Sequence, residues 1–135
     1  MRLYGMALLM FVSLQAAAVE IIVNRGVSGS GLAQASARAY FGMRLGKWPD
    51  GRPIQVFVLP DGHPVHAALC KEQLNLYPYQ LRQSWDRLVY SGMAQAPIEV
   101  ATEEEMISRV ATTSGALGYV RKVKPNDPVK VLSVE

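Results

Sequence analysis

The chain has 135 residues, a formal charge of +3 and one cysteine, enough for one hydrophobic core and too few cysteines for an internal disulfide. Its 14 basic and 11 acidic residues are interspersed, so the clustered Lys and Arg of a nucleic-acid surface are missing. A weak preference for anions is the most that such a charge surplus supports.

Met1–Ala18 begins with a basic residue, Arg2, continues through an apolar run, Met6–Leu14, and ends on Ala16-Ala17-Ala18. That order predicts a secretory signal peptide cut after Ala18, since the apolar run is short for a membrane span. Residues 19–135 then form one exported domain, with no membrane insertion once the leader is gone.

Val19–Asn24 is a β-branched run that predicts a buried parallel strand. Arg25–Gly31 is a turn with three glycines and two serines. Leu32–Met43 places Leu32, Ala35, Ala39, Tyr40 and Met43 near helical spacing. Arg44–Pro53 is a loop carrying Trp48, folded back on the domain. Ile54–Leu59 predicts a second strand and Pro60-Asp61-Gly62 a tight turn.

A helix over Pro64–Asn75 opens on a proline, whose missing N–H costs nothing there. Another is predicted over Tyr79–Tyr90, broken by Gly92–Pro97. Glu103–Thr112 reads as an amphipathic helix capped by Thr102, with three acids in its first turn to suit the helix dipole. Gly115–Val120 and Val129–Val134 close the chain as strands. The alternation predicts an α/β domain with a mostly parallel sheet and helices on both faces.

Two places have the chemistry to hold an anion. Ser28, Gly29 and Ser30 follow the first strand and could offer backbone N–H groups, with Arg25 as the nearest cation. Asp61, Gly62, His63 and His66 surround the start of the Pro64 helix, where free N–H groups and imidazoles could face one ligand. The plainer alternative has His63 capping the helix and His66 packing on the surface. Trp48 and Trp85 read as core residues that tie their N–H groups to the backbone, and Cys70 reads as a small buried residue. No catalytic set, metal-ligand spacing or cofactor motif emerges, so the chain reads as a non-enzyme without a cofactor.

Several segments, in order, carry a resemblance. They are Ala39-Tyr40-Phe41-Gly42 followed by Lys47-Trp48-Pro49-Asp50-Gly51, then Pro60-Asp61-Gly62, then Ser84-Trp85-Asp86-Arg87-Leu88 through Gly92 and Pro97, and finally Ser114–Val120. Together they resemble the periplasmic phosphate-binding proteins that feed ABC phosphate importers, and in particular their short single-domain relatives. The resemblance implies a single three-layer lobe of the type II periplasmic-binding fold. It also implies phosphate or another small oxyanion as ligand, while the dispersed charge leaves no role for nucleic acid and a periplasmic or membrane protein stands as the other candidate partner.

In that family an arginine stands two residues before the Asp, and Ser-Gly-Thr follows the Asp-Gly. Leu59, His63, Pro64 and Val65 occupy those places here. Each charge-assisted bond is worth about 1.5–3 kcal/mol, so the resemblance implies oxyanion binding that is weak or lost. The alternative function is a one-lobe adaptor with no small-molecule ligand.

Overall fold

The structure, a computed structural model, describes residues 18–135, so the predicted leader lies outside the described residues except for Ala18. Six strands and four α-helices follow in the order β1 (Glu20–Val23), β2 (Gly31–Leu32), α1 (Gln34–Phe41), β3 (Gln55–Val58), α2 (Pro64–Ala68), α3 (Pro78–Tyr90), β4 (Ile98–Glu99), α4 (Glu103–Thr112), β5 (Ala116–Val120) and β6 (Lys130–Val134). A π-helical turn, Leu69–Leu74, continues α2 and ends at Asn75 in the left-handed region. The elements follow the sequence expectation closely. The exceptions are the π-helical turn, the two-residue strands β2 and β4, which are too short to leave a periodic signal, and Leu32, expected in the first helix but paired with Val134 in β2, so that α1 starts at Gln34.

The strands form one sheet in the order β2-β6-β1-β5-β3-β4. Three of its five pairings are parallel: β2 with β6, β3 with β5 and β3 with β4. β1 departs from expectation, because it runs antiparallel to both β5 and β6. A run of buried β-branched residues suits either direction, and the pairing decides. The returning strands β5 and β6 flank β1, with Ile22 opposite both Gly118 and Val131.

Residues alternate across β5, so each face meets a different helix layer. Gly118 lies under α4, where an added Cβ would stand 2.6 Å from Met106 Sδ and 2.9 Å from Val110 Cγ2. The missing side chain lets Met106 and Val110, one helical turn apart, settle onto the sheet. Tyr119 points to the opposite face, where its ring meets Phe41 of α1 edge-on at 5.8 Å and His66 of α2 at 5.8 Å. Helices thus cover both faces of one lobe.

Both tryptophans are buried and bonded to main chain. Trp48 donates its indole N–H to Gly115 O at 2.9 Å, and Trp85 donates to Phe41 O at 2.7 Å. Thr102 caps α4 by accepting the Glu105 N–H at 3.1 Å, while the Glu105 carboxylate accepts the Ala101 N–H at 3.0 Å. Among the described residues, no helix is long and apolar enough to cross a membrane.

Candidate functional site

β3 delivers the chain to Leu59, and the Pro60–His63 turn swings it into α2. The His63 N–H bonds back to Pro60 O at 2.8 Å and closes that turn. His63 is the N-cap: its ring Nδ1 accepts the Val65 N–H at 3.1 Å. The His66 and Ala67 N–H groups both go to His63 O, at 3.0 and 3.2 Å. Pro64 has no N–H to offer. The opening of α2 therefore satisfies its own donors, and no sheaf of free N–H groups faces outward.

Asp61 is similarly engaged. Arg82 of α3 grips it through two bonds, Nε to Oδ2 at 3.0 Å and Nη2 to Oδ1 at 2.9 Å, with its guanidinium 5.0 Å over the Trp85 ring. This bidentate pair holds the Asp61 carboxyl below its ordinary range. It also neutralises the cation nearest the turn.

His66 is fully buried, where the plainer expectation had it on the surface. The Tyr119 hydroxyl accepts the Leu59 N–H at 2.8 Å and bonds to His66 Nδ1. A phenol has one proton to give, and donating it to Nδ1 leaves neither group orphaned. That assigns the histidine proton to Nε2, which faces Asp61 Oδ1 at 3.8 Å and Cys70 Sγ at 3.8 Å. Burial lowers the His66 pKa, with Arg82 and His63 pushing the same way and Asp61 opposing. Burial also lifts the Cys70 thiol to about 11, so it is no thiolate at neutral pH. Two bonded sets, Leu59–Tyr119–His66 and Asp61–Arg82, meet at the 3.8 Å approach of His66 Nε2 to Asp61 Oδ1 and tie β3, β5, α2 and α3 together.

The other predicted group lies elsewhere. Arg25 follows β1 at the end of the sheet where β3 begins, as the Asn24 N–H bond to Ala116 O shows. Asp61 follows β3 at the opposite end. Ser28, Gly29 and Ser30 are exposed and run beside β6 into β2. Three strands separate β2 from β3, four steps of about 4.8 Å or roughly 19 Å. One small anion cannot bridge Ser28–Ser30 and Asp61–His66: the strand order sets them far apart across the sheet, and the antiparallel course of β1 puts them at opposite ends of it. Among the described residues no three His, Cys, Asp or Glu side chains are grouped to hold a metal ion.

Sequence reasoning missed Tyr119 and Arg82 as members of the turn's network. The GALGYV strand signalled burial for Tyr119, and only its pairing register shows that the hydroxyl reaches Leu59 and His66.

No family model matches this chain, and no curated protein matches it. Solved structures do. The chain is similar to PstS from Borrelia burgdorferi, with a TM-score of 0.65 and 12% identity, over 87% of this chain and 47% of that one. It is similar to a putative phosphate ABC transporter substrate-binding protein with bound phosphate from Clostridium perfringens (TM-score 0.67, 14% identity, 87% and 44% covered). It is also similar to an ABC-type phosphate transport receptor from Vibrio cholerae, with a TM-score of 0.62 and 12% identity, over 89% and 48%. The chain spans about half the length of these structures. At such identities the likeness establishes the fold, a single lobe of the periplasmic-binding-protein type.

Proposed function

We propose that this chain is an exported, periplasmic lobe of the solute-binding type, allied to phosphate ABC transport, in which oxyanion capture at the β3 turn is weak or lost. The observation that carries the second half is the self-satisfied start of α2. The Val65, His66 and Ala67 N–H groups are spent on His63, and Arg82 is spent on Asp61. An incoming phosphate would meet a carboxylate already paired, and it would have to break bonds worth as much as those it made. The reading involves no catalytic step.

Calorimetry with phosphate at low salt tests it. Heat should be absent at micromolar phosphate and at most marginal in the millimolar range. Micromolar or tighter binding, abolished in a His63→Ala variant, would overturn the loss of grip and restore a working phosphate receptor. The adaptor reading, in which the lobe binds protein and no small molecule, is favoured by the same closed turn.

A further inference from the structure

A different surface is open where the turn is closed. Four cavities of about 460, 320, 200 and 390 Å³ lie in succession along α3. The first two share Leu76 and Gln80, the next two share Arg44, Gln80 and Ser84, and the last two share Arg44 and Leu88. Gln80, Ser84 and Leu88 stand four residues apart and so form one ridge of the helix. The cavities are therefore stretches of one groove along that ridge, walled in turn by α2 with its π-helical turn, by the end of α1 with Arg44, and by residues 43–46, 53–56 and 93–97. α3 has 13 residues, which at about 1.5 Å each gives a groove of roughly 20 Å. An extended strand rises about 3.3 Å per residue, so about six residues would fill it.

The chemistry of the walls is one-sided. Lys71, Arg38, Arg44 and Arg87 line the groove, and no Asp or Glu lines any of its four stretches. Among the described residues Lys71, Arg44 and Arg87 have no ion-pair partner. The ends are apolar and open: Tyr77 is 67% exposed at one, and Leu45 and Met93 are 49% and 76% exposed at the other. Large apolar side chains left in water beside unpaired cations mark an interaction surface.

We infer that this groove docks a short extended acidic peptide segment of a partner protein, with carboxylates on Lys71, Arg44 and Arg87 and an aliphatic anchor at the Leu45–Met93 end. Aliphatic anchoring favours a peptide over a nucleic acid, which has a phosphate chain but no such side chain to bury. The inference goes beyond the reading above, and it stands whether or not the β3 turn holds an oxyanion.

Fluorescence anisotropy with a labelled eight-residue peptide of alternating acid and leucine tests it on the full chain. Two competitors accompany it, the same peptide with lysine for each acid and an eight-nucleotide oligothymidylate. Saturable binding is expected for the acidic peptide alone, weakening with salt. Arg44→Glu/Arg87→Glu should weaken it by about tenfold or more, as expected when two charge-assisted contacts are reversed. Glu104→Gln, exposed on α4 and outside the groove, should leave it unchanged. Should the double variant fail the circular-dichroism fold check, amide shift mapping on the parent protein replaces it, with changes expected at Gln80, Ser84 and Leu88.

Equal binding of the lysine peptide, tighter binding of the oligothymidylate, shifts confined to other surfaces, or no saturable binding would each overturn the inference. So would a concentration-dependent dimer that the Arg44→Glu/Arg87→Glu change abolishes, since a second copy would then be the occupant.

Discussion

Replacing Tyr119 by Phe removes one oxygen and leaves the buried ring, with its edge-on contact to Phe41, in place. That oxygen accepts the Leu59 N–H and bonds to His66 Nδ1, both in the dry core. The variant strands a backbone donor and an imidazole acceptor where water cannot reach them. An unsatisfied buried group costs about 1–3 kcal/mol, so the pair together should cost about 2–4 kcal/mol. A domain of this size has about 5–15 kcal/mol of stability in all. Thermal unfolding followed by circular dichroism should show Tm falling by about 8–15 °C. A double-mutant cycle isolates the bond itself. Tyr119→Phe combined with His66→Leu should cost less than the two single changes added, because the second change removes the group that the first orphans. A loss below about 0.5 kcal/mol for Tyr119→Phe, well under the cost of even one stranded group, would refute the buried Leu59–Tyr119–His66 bonding.

Stability should also depend on pH through His66. Its folded pKa is lowered, chiefly by burial, so the unfolded chain binds the proton more readily. Stability is then complete above the unfolded value of about 6.5 and is lost as pH falls from there towards the folded value. His66→Leu should flatten that slope in urea titrations run at successive pH, and an unchanged slope would contradict the assignment. Export with cleavage after Ala18 would turn the Val19 N–H, which now bonds to Glu72 Oε2 at 3.0 Å, into an ammonium facing that carboxylate. Mass spectrometry of the periplasmic fraction should find Val19 as the first residue, and an intact Met1 would sink the processing proposal.

Period and punctuation made most of the elements legible. Thr102 before three acids located α4, and Pro64 located the start of α2. The β-branched runs located β1 and β3, because those features act over one helical turn or one strand and need no distant partner. The tryptophans were legible for a related reason, since a buried indole must find an acceptor and the backbone is the nearest one.

Direction and neighbourhood were not legible. Val19–Asn24 fits a parallel or an antiparallel strand equally well, and only its place between β5 and β6 turned it round. That reversal put the Ser28–Ser30 loop and the Asp61–His66 turn at opposite ends of the sheet, and the strand order put them four strand steps apart. The tertiary structure also decided the chemistry of the turn. Asp61, His66, Arg82 and Tyr119 are up to 58 positions apart in the chain, and nothing local links them. Only the folded sheet brings the phenol to the imidazole and the guanidinium to the carboxylate, and so converts a site that looks open in sequence into one that is closed.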